Sequence, residues 1–224
     1  MKKLVLWLLL LSAFGLVMPA SAQVQLGLIG GLNLANISVD PDSDPKPSSL
    51  AAFGVGGIVH IRLGENLALQ LEPMYLQKGA KQEGSFTDPD LGITVNTDIK
   101  VKGNYLEVPA MLKLAFGTST TKPYLMAGPM VGFLLSAKVK GSISAPGFTN
   151  LEIDDDIKDQ TKSIDFGVGF GGGVSFPAGT NSIFVEGRYA LGLTNINDDP
   201  EDPDTDVKTK GIQVMAGITF PIGQ

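Results

Sequence analysis

Apolar residues recur at every second position along most of this chain, with polar or small residues between them. The stretch NYLEVPAMLKLAF, Asn104 to Phe116, carries the pattern most clearly. Leu106, Val108, Ala110, Leu112, Leu114 and Phe116 make one apolar face, while Tyr105, Glu107, Pro109, Met111, Lys113 and Ala115 make a mixed one that holds opposite charges. Strict alternation of this kind argues for a β-strand with two unlike faces. Eight such segments are predicted, near 24–36, 50–63, 66–79, 100–117, 122–140, 162–177, 182–194 and 208–221. Connections after the second, fourth and sixth are tight (GEN, GTST, PAGTN), and those after the odd segments are long and acidic. Long and short connections in alternation mean antiparallel up-and-down hairpins. In outer-membrane barrels the short turns are periplasmic and the long loops external. That places 37–49, 80–99, 141–161 and 195–207 outside and both termini in the periplasm.

The mixed faces carry Gln25, Asn33, His60, Arg62, Gln70, Glu72, Glu107, Lys113, Asp165, Glu186, Arg188 and Gln213, with many glycines between them. A soluble lipocalin-like barrel would turn these residues to water, and a membrane barrel would turn them inward. A solvated exterior should be dense in charge, and this face is not. Glycines instead leave room for long charged side chains in a narrow lumen. With the apolar faces outward, Phe53, Tyr75, Phe133, Phe166 and Tyr189 fall toward the outer ends, and Phe116, Phe176 and Phe220 toward the periplasmic ends. Two aromatic girdles result, as interfacial aromatics require. Turning the Asn104–Phe116 strand over would put Lys113 in lipid, at about 2–4 kcal/mol near the midplane. The expected fold is therefore an all-β, eight-stranded antiparallel up-and-down transmembrane β-barrel. Pro73, Pro109 and Pro129 fall inside predicted strands, where a missing donor predicts bulges.

The chain opens with Lys2 and Lys3, an apolar run from Leu4 to Met18, and Ala20-Ser21-Ala22. This is the pattern of a secretory signal peptide over 1–22, cut between Ala22 and Gln23, leaving 23–224 as one barrel domain. Removing the two lysines leaves 15 of the 17 basic residues against 23 acidic ones, a net of −8, which argues against nucleic-acid binding. With no cysteine, disulfides and thiol chemistry are excluded.

Four stretches, NYLEVPAMLKLAF, KPYLMAGPMVGFLLSAK, DDIKDQTKSIDFGVGFGGGVSF and IFVEGRYALGLTNI, resemble the PorT-like family of small outer-membrane β-barrel proteins of Bacteroidetes and relatives. The resemblance spans essentially the whole mature chain. It implies an eight-stranded barrel in the outer membrane with a structural, surface-interaction or secretion-accessory role, and it supplies no catalytic residues. The partners expected are outer-membrane lipid and lipopolysaccharide, the outer-membrane assembly machinery and secretion-system components.

Candidate chemistry is sparse. His60 is the sole histidine, so a multi-histidine metal site is excluded. A triad through it is weighed against a lumenal hydrogen bond, and the bond is favoured. Glu72 and Glu186 could form an acid–base pair, but Arg62, Lys113 and Arg188 share their space. The expected lumenal polar network is His60, Arg62, Glu72, Glu107, Lys113, Asp165, Glu186 and Arg188. No cofactor is expected, although Asp198, Asp199, Asp202 and Asp204 in NDDPEDPDTD are candidate Ca²⁺ ligands or divalent bridges to lipopolysaccharide. EF-hand spacing is absent there, and solvated loops are the competing reading. The alternatives to a non-enzymatic barrel are a membrane-embedded barrel enzyme acting on lipid or surface protein, and the soluble lipocalin-like binder.

Overall fold

A strand whose two faces need different solvents is satisfied only when its sheet closes, and this sheet closes. The computed structural model describes residues 24–41, 46–87, 94–117, 120–147 and 150–222. The expected signal segment and its cleavage site at Ala22 and Gln23 lie outside the described residues. The strands are β1 (Val24–Asp40), β2 (Leu50–Arg62), β3 (Leu67–Leu71), β4 (Met74–Thr87), β5 (Thr94–Ala115), β6 (Lys122–Ser144), β7 (Leu151–Asp156), β8 (Ile164–Ala178), β9 (Asn181–Gly192) and β10 (Asp206–Pro221). Every pairing is antiparallel. β3 and β4 act as one stave, since both lie between β2 and β5. The ring then runs β1, β2, β3/β4, β5, β6, β8, β9, β10 and back to β1, eight staves in all. Closure leaves no open edge in the wall.

The exterior is a band of leucine, valine, isoleucine and phenylalanine. Leu28, Leu32 and Leu112 are 64%, 63% and 49% exposed. Phe53 packs on Tyr75 and Phe170 on Tyr189, with ring centroids 5.7 and 5.6 Å apart. A continuous apolar exterior of this extent belongs in lipid rather than water. Among the described residues no helix is long and apolar enough to cross a membrane.

The structure departs from the expected elements in three places. The prolines are accommodated without bulges. β3 and β4 keep one register against both β2 and β5 across the break at Glu72 and Pro73. Pro109 borders, and Pro129 lies within, a short gap in the β5–β6 ladder, and the pairing resumes unshifted at Leu112 and Ala127. The one shift in that ladder falls between Asn104 and Tyr105, where Leu135 is the extra residue on β6. Losing a few ladder bonds leaves the outward and inward faces in phase, whereas an inserted residue swaps them. Second, β4, β5 and β6 run well past the membrane, reaching Thr87, Thr94 and Ser144. Polar pairs hold this extension, including Ser85 to Asn96 at 2.7 Å and Thr87 to Thr94 at 3.0 Å. Both of its faces meet water, so its sequence alternates weakly. Third, β7 adds to β6 outside the barrel, in a region expected to be loop. Lys140 donates to Asp154 there at 2.9 Å and holds that carboxyl below the usual carboxylate range.

The connections leading from β7 to β8 and from β9 to β10 are stitched together at the end opposite the termini. Lys162 N–H donates to Ile196 O at 2.8 Å, and Asp198 N–H to Gln160 O at 2.9 Å. Cysteines substituted at Asp155 and Asp202 should react with an impermeant maleimide on intact cells, and one at Thr180, in the β8–β9 turn, only after the outer membrane is breached. The opposite order would invert the topology. Leu112→Arg, on the lipid face of β5 about midway between Leu106 and Phe116, should lower unfolding stability in refolding titrations by about 2–4 kcal/mol.

Candidate functional site: a charged lumen

Eight staves leave an interior just wide enough for side chains to fill. Among the described residues, seven charged side chains are buried in it: Glu72, Lys78, Glu107, Lys113, Asp165, Glu186 and Arg188. Three cations face four carboxylates. A lone charge in such a place would cost several kcal/mol, so the pairing decides whether the lumen is stable.

The pairs form two clusters. In the cluster nearer the termini, Arg188 on β9 bridges Glu72 at 2.7 Å and Glu186. Gln70 is the hub beside it. Its amide donates to Glu72 at 2.6 Å, and its carbonyl oxygen accepts from Lys113 at 2.9 Å. The same oxygen lies 3.4 Å from His60 Nδ1. Lys113 stands 3.8 Å from Glu186 and 3.7 Å from the centroid of the Tyr124 ring. The Tyr124 hydroxyl in turn donates to Glu186 at 2.7 Å. In the outer cluster Lys78 on β4 pairs with Glu107 on β5 and with Asp165 on β8 at 3.0 Å. Thr209 and Thr194 donate to the two Asp165 oxygens at 2.7 and 3.1 Å. Charge-assisted bonds of this kind are the strong ones, and a dry surrounding strengthens them further.

Glycine makes the space. A Cβ on Gly132 would come within 3.2 Å of the Tyr105 ring and 3.6 Å of Lys78 Nζ. One on Gly173 would sit 2.6 Å from the Tyr124 hydroxyl. Buried apolar chains fill the remainder, with Ile29, Ile58, Met74, Leu76, Phe184 and Met215 forming one cluster and Met111, Tyr124 and Met126 another.

The two ends of the lumen differ. At the end of the termini a vestibule of about 320 Å³ reaches inward past His60 and Arg62 to Lys113 and Tyr124. In the outer half lie smaller spaces, of about 50 Å³ beside Tyr105 and Ile157 and about 10 Å³ beside Asn33 and Gln213. The smaller is near the limit for a single water.

The structure brings Glu72, Glu107, Lys113, Asp165, Glu186 and Arg188 into these clusters. His60 stands half-buried at the edge of the vestibule, touching Gln70. Arg62, also expected in the network, is exposed at the vestibule mouth, at the very end of β2. The third interior cation is Lys78. It shares the inward phase of Gln70 and Glu72, so following that phase six residues past Glu72 would have found it. Tyr124 and the hub role of Gln70 left no such trace, because an aromatic or an amide at an inward position reads as filling. Asp198, Asp199, Asp202 and Asp204 do not converge: among the described residues no three acidic, histidine or cysteine side chains gather as a metal site. The Asp199 carboxylate accepts from Glu201 N–H at 2.9 Å, and that of Asp202 from the Thr205 hydroxyl at 2.8 Å.

Lys78→Met should strand Glu107 and Asp165 and destabilise the barrel by about 3–5 kcal/mol in denaturant titrations. Adding Glu107→Gln and Asp165→Asn should restore part of that loss; no recovery would show that Lys78 acts by packing alone.

The chain resembles the solved Neisserial surface protein A at 18% identity and a TM-score of 0.43, covering 89% of this chain and 96% of that one. It resembles the outer membrane protein OprG of Pseudomonas aeruginosa at 12% identity and a TM-score of 0.41, over 92% and 98%. Likeness extends to the outer membrane protease OmpT of Escherichia coli at 8% identity and a TM-score of 0.37, over 89% and 97%. No curated protein matches the chain significantly. The family described as outer membrane protein beta-barrel domain matches residues 19–198, most of the chain, and the chain therefore belongs to that family of outer-membrane barrels.

Proposed function

We propose that this outer-membrane barrel is non-enzymatic, is plugged by its own side chains, and serves a structural, surface-interaction or secretion-accessory role. Within its family it sits with the PorT-like members on this reading. Its partners are outer-membrane lipid and lipopolysaccharide, the machinery that assembles it, and components of a secretion system.

The observation that carries the reading is the paired lumen. Ion pairs and hydrogen bonds link β3, β4, β5, β6, β8, β9 and β10 across the interior. A general pore needs a continuous water-filled path, and the outer-half spaces of about 10 and 50 Å³ are far too small for one. An enzyme needs an acid–base pair or nucleophile that substrate can reach. Glu72 and Glu186 are fully buried and both are bound to Arg188, which favours a structural use. The His60 contact with Gln70 favours the same.

Planar-bilayer recording tests the reading. The natural chain should give no large, stable conductance, and porin-like steps would reject the plug. Arg188→Ala should lose about 3–5 kcal/mol of stability, because two carboxylates lose their partner in a dry interior. It should also raise the leak current; unchanged stability would remove the network as the plug's support.

A further inference from the structure

We propose that the lysine-rich outer face of β4, β5 and β6, just above the lipid-facing aromatic row, binds the phosphates of a glycolipid of the outer leaflet. It names a site for the lipid partner in the reading above and stands whether or not the lumen is plugged.

Register builds the site. Tyr75, Leu106 and Phe133 lie side by side on adjacent strands and face lipid. One row outward, Gln77, Asn104 and Ser136 are neighbours joined by hydrogen bonds of 3.2 and 2.8 Å. The next row holds Lys102 opposite Lys138, and the one after it Lys81, Lys100 and Lys140 abreast. Successive rows on one face are two residues apart, so all five lysines share the outward face of Leu106.

Height fits the occupant. Lys102 is four residues beyond Leu106, about 13 Å along the strand and about 10 Å once barrel tilt is counted. The headgroup layer begins at the aromatic girdle and is about 5–8 Å deep on each side. A lysine stem covers the remaining distance.

Charge selects the ligand. Lys81, Lys100 and Lys140 fold toward Glu83, Asp98 and Asp154 at 3.0, 3.2 and 2.9 Å. Lys102 and Lys138, the pair nearest the membrane, make no ion pair among the described residues. Like charges directly opposite on a sheet repel, and a phosphate between them would relieve this. On β7 Asp156 faces Lys138 and Asp154 faces Lys140, so the two rows hold five lysines against two carboxylates; the next row out holds Glu83, Asp98 and Glu152 and no lysine, which repels anions there and confines the site to headgroup level. A phosphorylated glycolipid carries anionic charge at that level, whereas a zwitterionic headgroup offers no net charge.

The test uses the full mature barrel folded in neutral detergent, titrated with bis-phosphorylated lipid A and with its dephosphorylated form. Lys102→Gln/Lys138→Gln should weaken binding of the phosphorylated lipid about tenfold or more. Lys122→Gln, at the far end of β6, should leave it unchanged. The dephosphorylated lipid should bind the natural chain no better than the phosphorylated lipid binds the double variant. Added salt should weaken the phosphate-dependent part. Heat-modifiable gel migration checks that each variant is folded, and the two single variants serve if the double one is not. Binding that ignores the phosphates, survives both substitutions or falls equally with Lys122→Gln would overturn the proposal. Displacement by inorganic phosphate as effective as by lipid would mark a free-anion site instead, and would overturn it too.

Discussion

Backbone hydrogen bonding in a medium without water is the constraint on which this molecule rests. An unpaired N–H or C=O in hydrocarbon costs several kcal/mol, so strands can cross a bilayer only as a closed ring. Eight staves achieve this, with β5 on β6 and β10 on β1 completing the circle. Closure replaces the disulfides that a secreted chain without cysteine cannot make. It also explains how prolines survive in the wall: a short gap in one ladder is tolerable, while a shifted register would turn leucines inward and charges into lipid.

The ring's size then dictates its contents. At eight staves the interior is just wide enough for side chains to fill. Charged chains fill it on the condition that each finds a partner. Arg188 between Glu72 and Glu186, and Lys78 between Glu107 and Asp165, meet that condition, each with one partner close by on its own or the neighbouring strand and one, Glu72 or Asp165, across the lumen. Such bridges act as struts. A buried pair adds little net stability over an apolar equivalent, but breaking it is costly, so the struts oppose deformation of the wall. The vestibule near the termini is open while the outer half is packed, which makes the two mouths chemically unlike.

Beyond the membrane the rules relax. β4, β5 and β6 continue as a twisted ribbon whose two faces both meet water, extended by β7. The two charged rows nearest the bilayer hold five lysines and two aspartates, and the row above them holds Glu83, Asp98 and Glu152 without a lysine. This ordering lies along the direction in which a bilayer's own charge changes, and the ribbon is long enough to sample it.

The barrel was legible in the chain because a face exposed to lipid must be unbroken. Leu106, Leu112 and Leu114 show their outward phase without reference to any other strand, and the alternation of tight and acidic connections supplies the topology. The interior was legible only as a set of inward residues. Glu107 and Lys113 can be assigned to the lumen from one strand, but their partners cannot. Lys78 meets Asp165 across 87 residues of sequence, and Tyr124 meets Glu186 across 62. Parity selects a face, and it is silent on depth. Arg62 has the correct parity and still ends at the mouth, because β2 stops there. Which cation reaches which carboxylate depends on the stagger of eight strands around the ring, a property of the closed structure that no single strand encodes.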